Sequence, residues 1–442
     1  MESTSSCRPS TSEWIFRLNS ILHLNDVQHD FDFILVGHIE NVLINLPEAL
    51  KKSGFKTLVI GAPGMYLLKS PFIDYSITLD SRTQSRFLDE LFLNQDFLLK
   101  CTGTFLWCSD EIMKEIVDRD VPLSLKIKLL PTKNPEFMKV LGSKVGQDSM
   151  FHNLNVKTPN SKVLKTYSES QSFFNNDGKN RVLVKGNHSG GGSFIKQVSS
   201  GEQLDLAQIP RDWFPLLIQD FEIGDTVSVE AYYREGILVL WLYSYTIMTT
   251  SILGPSMVRK YEIPPNLDFL DELKRIGETA KINGFANVSL IWNSEKQRHL
   301  MIEFDLRPNV WHQAFLDFDI PFGEIWRDKR TSFVEEYGVI EGFRYEPYRL
   351  FDYMLNRFRI FSAVRVLMGS EFRDYGRTLT SSFFDPGVRR RNQLLLIFFF
   401  FAPLRRYVLK IGILFKQNLP VRLQELIDNS CMKRWLLRIL VR

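Results

Sequence analysis

The heptapeptide Ile302-Glu303-Phe304-Asp305-Leu306-Arg307-Pro308 sets two carboxylates and a guanidinium at alternate positions of an apolar stretch. Strand side chains alternate faces, so Glu303, Asp305 and Arg307 can converge on one side. Two carboxylates beside a guanidinium suit a divalent metal that carries phosphate oxygens. The same pattern also describes a solvated strand edge with a surface ion pair, because short charged motifs recur by chance.

Other segments narrow the choice. Gly190-Gly191-Gly192-Ser193 lies between two apolar runs, flanked by Lys185 and Lys196. Such a loop can bring backbone N–H groups close to phosphates, or it can be a plain hairpin turn. It is not a Walker loop, since no Gly-Lys-Ser/Thr follows. Gln219-Asp220-Phe221-Glu222-Ile223-Gly224 ends a strand with acidic residues and a glycine, a segment that can line an adenine slot or form a charged turn. His188 and His312 belong to no metal-spacing pattern, which argues against a zinc site. No serine sits in a nucleophile elbow.

These residues need a scaffold. A chain of 442 residues predicts two to four domains. Its 44% hydrophobic and 24% charged content is an ordinary globular balance. Cys7, Cys101, Cys108 and Cys431 form neither a metal spacing nor a disulfide framework, as expected for a reducing compartment. The first residues lack a basic start followed by an apolar run, so a cytoplasmic protein is expected.

Residues 1–30 read as a polar tail. From Phe31, FDFILVG, NVLINLPEALKKSG and FKTLVIG read as strand, helix and strand, a βαβ unit. TFLWCSDEIMKEI repeats the theme, with Asp110 placed to cap a helix. A parallel α/β domain over 31–135 follows. Its first turn, Gly37-His38-Ile39-Glu40, lacks dinucleotide-fingerprint spacing. A helix is expected near Lys144, then strand, glycine loop and strand over 181–198. Residues 216–245 alternate like hairpin strands of a half-exposed antiparallel sheet, and a helix over LDFLDELKRIGETAKING precedes the acidic strand. No internal repeat is evident.

In this order the parts resemble the ATP-grasp superfamily, the fold of biotin carboxylase, D-alanine–D-alanine ligase and the carbamoyl-phosphate synthase large subunit. The resemblance spans roughly 31–325 and is nearest to stand-alone, carbamoyl-phosphate-synthase-like carboxylate–amine ligases. It implies an α/β fold: an N-terminal parallel domain over 31–135 and a two-lobed ATP-grasp domain over 136–325. It further implies that Lys144 and Lys185 contact the nucleotide, with Gly190 to Ser193 lying over its phosphates. Gln219, Asp220, Phe221 and Glu222 would form the adenine-side segment. Glu303 and Asp305 match the metal strand, usually Glu-x-Asn-x-Arg, with Arg307 as its arginine; ATP and Mg2+ or Mn2+ are the implied cofactors.

Two departures stand out. Where the family carries a metal carboxylate on the preceding strand, this chain has Ser289, and where the family has a metal asparagine it has Asp305. One carboxylate lost and one gained could conserve the site's charge; decay to a non-catalytic ATP-binding or scaffold protein is the competing outcome. Ser256 and Arg259 occupy the stretch that approaches the acyl acceptor in relatives. The implied reaction is phosphorylation of a carboxylate by Mg-ATP, followed by attack of an amine or thiol, with Lys185 and Arg307 neutralising charge. An ATP-dependent phosphotransferase is a further alternative.

The net charge of +4 is uneven. Residues 1–330 carry 36 Lys and Arg against 41 Asp and Glu, and residues 331–442 carry 19 against 10. From Pro386 the count is 12 against 2. The expected region 326–442 is helical and basic. Its apolar run Leu394 to Leu404 falls short of the roughly 20 residues that cross a bilayer. Met432, Trp435, Leu436, Ile439 and Leu440 share one helical face, and Arg434, Arg438 and Arg442 share another. That is the pattern of a helix lying on an anionic membrane surface, or of one packed on a protein. Nucleic acid is not an expected partner, because the basic residues are interleaved with long apolar runs. The expected protein is a cytoplasmic ligase, peripheral to a membrane through its tail, that acts on an envelope or polysaccharide precursor.

Overall fold

The structure is a computed structural model that describes residues 30–39, 41–81, 83–176, 181–188, 195–198, 209–249, 254–328 and 342–345. Gly190 to Ser193 and the basic tail from Pro386 lie outside the described residues. The chain divides into two compact units. The first takes Met1–Thr246, Leu253–Pro255 and Lys260–Gly342; the second takes Ile247–Ile252, Ser256–Arg259 and Phe343–Arg442. Among the described residues no helix is long and apolar enough to cross a membrane.

The first unit opens with the expected βαβ pattern. Strands β1 (Phe33–Gly37), β2 (Thr57–Gly61), β3 (Tyr75–Thr78) and β4 (Thr104–Trp107) form a sheet in the order β3-β2-β1-β4. All three pairings are parallel. Every residue of β1 and β2 is buried, as befits strands covered on both faces. A small antiparallel sheet follows, from β5 (Ser161–Leu164), β6 (Val182–Gly186), β7 (Ile195–Val198) and β8 (Leu216–Asp220), in the order β5-β8-β6-β7. It has its own core of Leu164, Val182, Val184, Leu216 and Ile218.

The third sheet carries the acidic strand. Strand β9 (Asp225–Arg234) pairs antiparallel with β10 (Ile237–Thr249) and with β12 (Gly284–Asn293), and β12 pairs with β13 (Arg298–Asp305). Strand β11 (Ser256–Tyr261) lies between β10 and β12 in sequence. The expected half-exposed sheet is not what forms. Val227 to Tyr233 are buried without interruption. One face is covered by the helix Leu270–Ala280, whose Leu273 carbonyl accepts from the Tyr233 hydroxyl at 3.1 Å. Gly277 of that helix has to be a glycine, since a Cβ there would lie 2.4 Å from the Tyr233 ring. The other face is covered by rings: Tyr232 meets Phe285, Phe315 and Phe322 at 4.9 to 5.8 Å. The alternation in TVSVEAYY therefore reports polar groups with buried partners, as where Glu230 accepts from the Tyr261 hydroxyl at 3.2 Å. Leu216–Asp220, read as part of the same hairpin, belongs to the small sheet instead.

The parallel sheet and the large antiparallel sheet share one core. Phe33 of β1 packs on Phe285 of β12 at 5.7 Å and on Trp326 at 5.0 Å. Each such ring contributes roughly 1.5–3 kcal/mol on burial. This shared core fixes the end of the parallel sheet against the acidic strand.

Candidate functional site

Lys144 begins the helix Lys144–Asn153. Ser143 caps it, its Oγ accepting from Gly146 N at 2.9 Å. A second tie comes from Asn187, just past β6. Its Oδ1 accepts from Ser143 Oγ at 2.9 Å and Val145 N at 3.0 Å, and its carbonyl accepts from Lys144 N at 2.9 Å. The helix start is thus bound to the strand that carries Lys185. Gln147 ties it to the acidic strand as well, accepting from Phe304 N at 3.1 Å.

Lys144, Glu303 and Asp305 line one cavity of about 180 Å³, together with Asp110, Ser143 and His188 among others. Lys144 Nζ pairs with Glu303 Oε1. Burial alone would raise the Glu303 carboxyl, but Lys144, with Lys185 and Arg307 behind it, holds it below the ordinary range. Asp305 has the opposite fate: burial, then Asp110 and Glu303, push its carboxyl well up despite Arg307. Burial would lower Lys144, and Glu303 and Asp305 outweigh it to raise its pKa. Lys185 is buried, its Nζ donates to Gln219 Oε1 at 2.6 Å, and burial followed by Lys144 lowers it to about 8.

Arg307 leaves the strand end and meets two carboxylates. Nη2 donates to Asp305 Oδ2 at 3.0 Å, and Nε donates to Asp110 Oδ2. Asp110 was expected to cap its helix. Ser109 does that, its Oγ accepting from Ile112 N at 3.3 Å, and Asp110 is the first helical residue of Asp110–Asp118. Its carboxylate is thereby released toward Arg307. Motif reading missed Asp110 because its partner lies 197 residues away. The available signal was its place just past an apolar parallel strand, where such sheets present ligand-facing residues, with a serine already positioned to cap.

Ser289 stands opposite Glu303 in the β12–β13 register and opposite Ser228 on β9. It is therefore adjacent to the acidic pair. Asp220 accepts from Asn160 Nδ2 at 3.0 Å, Arg181 lies 3.6 Å over the Phe221 ring, and Glu222 pairs with Lys296 at 3.1 Å. Gly224 follows because a Cβ there would fall 2.3 Å from the Trp292 carbonyl. His312 is a core residue, stacked on Phe285 and bonded to the Ala286 carbonyl at 3.2 Å. Ser256 and Arg259 belong to the second unit, where Arg259 Nε donates to Ser256 Oγ at 2.9 Å.

The donor set fits a hard divalent cation. Among the described residues no three His, Cys, Asp or Glu side chains are grouped to hold a metal by themselves. Mg2+ needs less, because it is held by one or two carboxylates plus the phosphates of a bound nucleotide. Glu303 and Asp305 supply two, and a bound cation would offset the burial and the Asp110 and Glu303 charges that push the Asp305 carboxyl up.

No protein-family model and no curated protein sequence matches the chain. Solved structures do. The biotin carboxylase domain of the Hydrogenobacter thermophilus 2-oxoglutarate carboxylase, in complex with MgADP, ADP and bicarbonate, superposes with a TM-score of 0.51 at 14% identity, covering 72% of this chain and 74% of that one. A Campylobacter jejuni biotin carboxylase in a β,γ-ATP complex gives 0.50 at 14% identity, over 67% and 70%. An ADP complex of N5-carboxyaminoimidazole ribonucleotide synthetase gives 0.50 at 12% identity, over 65% and 73%. The chain has the ATP-grasp fold.

Proposed function

We propose that this protein is an ATP-dependent carboxylate–amine ligase, with a thiol as the alternative acceptor. The observation that carries the reading is the meeting of Lys144, Glu303 and Asp305 at one cavity of an ATP-grasp fold, with Arg307 bonded to Asp305 and Lys185 buried nearby. Phosphoryl transfer to a carboxylate sets two anions against each other, so its barrier is largely charge. Lys144 and Lys185 would neutralise phosphate oxygens, and the glycine segment Gly190 to Ser193 would cover them. Gln219 to Glu222 would present backbone to adenine. A bound Mg2+ or Mn2+ would supply charge neutralisation at the phosphates, held by Glu303 and Asp305 beside Ser289. The substrate carboxylate oxygen bonds to the γ-phosphorus and the bond to ADP breaks. The amine then attacks the acyl carbon, phosphate leaves, and the amine loses a proton. No general base is needed for the first step, because the carboxylate is already ionised.

The proposal extends to the chain's organisation: a tail over 1–30, a parallel domain over 31–135, a catalytic domain over 136–325, and a basic region over 326–442 that holds a cytoplasmic protein at an anionic membrane. Calorimetric titration of ATP into the full chain, with and without Mg2+, tests the site. Magnesium-dependent binding weakened by both Lys185→Ala and Glu303→Ala is the expected result. No binding by folded wild-type protein would favour a decayed site, with Ser289 the first residue to blame. Product analysis separates ligation, which yields ADP, phosphate and a joined product, from phosphotransfer, which yields a stable phosphorylated one.

A further inference from the structure

We infer that Asp110 is a positioning residue that aims Arg307 at the terminal phosphate of the nucleotide, so that the helix Asp110–Asp118 is part of the reaction site. The inference rests on the ligase reading above and adds a residue that reading does not use. A guanidinium has five N–H donors in a rigid plane. Arg307 commits three: Nε to Asp110 Oδ2, Nη2 to Asp305 Oδ2 at 3.0 Å, and Nη1 to the Pro308 carbonyl at 3.3 Å. One N–H remains on each Nη. Two carboxylates from elements far apart in sequence therefore fix the plane and leave a pair of donors for an anion.

Asp110 also decides what Arg307 does with Asp305. Without a partner at Nε, a guanidinium beside a carboxylate closes into a two-pronged pair. Here that closure would occupy both Asp305 oxygens and change the plane in which the remaining donors lie. Holding Nε elsewhere limits Asp305 to a single contact from Arg307. Asp110 itself lines the same cavity as Glu303 and Asp305. A buried ion pair is a poor stabiliser compared with apolar packing, so a pure structural staple is a weak account of a charge set in this place.

The test uses the full-length wild type, Asp110→Asn, Arg307→Lys and the double variant, each titrated calorimetrically with Mg-ADP and with a non-hydrolysable Mg-ATP analogue. Asp110→Asn should weaken the ATP analogue roughly tenfold, the loss of one charge-assisted contact. ADP affinity should change by less than about twofold. In the Arg307→Lys background the same substitution should leave the ATP-to-ADP ratio within about twofold. Equal losses for both nucleotides, or full additivity with Arg307→Lys, would overturn the inference and make Asp110 structural. Wild-type protein that binds the two nucleotides equally well would also overturn it while leaving the nucleotide site standing; wild-type protein that binds neither would sink both. If Asp110→Asn fails to fold, Asp110→Glu keeps the charge and displaces the anchor by one methylene. An intermediate ratio supports the inference, and an unchanged ratio overturns it.

Discussion

Asn187 Oδ1 accepts from Ser143 Oγ at 2.9 Å, and this bond joins the base of the glycine segment to the helix that presents Lys144. Asn187 is buried, and the same oxygen also serves Val145 N. Asn187→Ala leaves both donors without a partner. A stability loss of about 2–3 kcal/mol is expected, read from urea unfolding. The folded fraction should also bind Mg-ATP more weakly, since the Lys144 N bond to the residue 187 carbonyl would then hold the helix start to the strand of Lys185 without its side-chain ties. A variant with unchanged unfolding midpoint would show that the bond is dispensable.

Lys185 couples stability to function. Its pKa falls from the ordinary 10.5 to about 8, with burial the largest cause. The folded state therefore binds this proton less tightly than the unfolded chain does. Below pH 8 the buried charge costs stability, on the order of 3 kcal/mol, and the cost fades as pH rises toward 10.5. Lys185→Met should raise the stability of the nucleotide-free protein at pH 7, less whatever Gln219 loses with its donor. The gain should shrink at pH 10, and nucleotide binding should fall sharply. Urea midpoints at the two pH values, compared with wild type, check the sign.

The architecture was readable because its signals are local. Unbroken apolar strands such as FILVG, the helix beginning near Lys144, and the strand–glycine–strand spacing around Lys185 each lie within a short window. The electrostatics were not local. Nothing near Asp110 announces Arg307, and nothing near Ser143 announces Asn187; both links depend on how three sheets stack. The burial of Val227 to Tyr233 failed for a related reason. Alternation signals a wet face only when nothing covers it, and here a helix and a ring cluster do. Glu303, Asp305 and Arg307 could be placed together because a strand period of two is a covalent regularity.

Glu272 gives a second pH signature, outside the cavity lined by Lys144, Glu303 and Asp305. It is buried in the helix Leu270–Ala280 and its Oε1 accepts from Lys157 N at 3.1 Å. Burial, outweighing the Lys157 contacts, raises its pKa from 4.5 to about 7. The folded state here holds the proton more tightly than the unfolded chain. The contribution is complete below pH 4.5 and is lost as pH rises through 7, on the order of 3 kcal/mol in all. Glu272→Gln keeps the acceptor and removes the titration. The variant should match wild type at low pH and exceed it at pH 8. Parallel stability–pH curves for the two proteins would refute the assignment.

The exchange of a carboxylate between two strands is the sharpest question the site poses. Ser289 and Glu303 are register partners, so a carboxylate at 289 would sit beside Glu303 much as Asp305 now sits two residues along. If Asp305 stands in for the carboxylate missing at 289, then Asp305→Asn alone should abolish magnesium-dependent ATP binding. Adding Ser289→Glu to that variant should restore it, because the count of carboxylates at the nucleotide returns to two. Ser289→Glu alone should behave differently again. A third carboxylate beside Glu303 and Asp305 raises like-charge repulsion, so the metal-free protein should lose about 1–2 kcal/mol, and added Mg2+ should raise its unfolding temperature more than it raises that of wild type. Calorimetry with and without Mg2+ on the four proteins reads both effects. Restoration in the double variant would establish that the two departures compensate each other. Failure of the double variant, with Ser289→Glu alone binding ATP more tightly than wild type, would instead mean that Asp305 has a separate task, and Arg307 is the partner to which that task would then be traced.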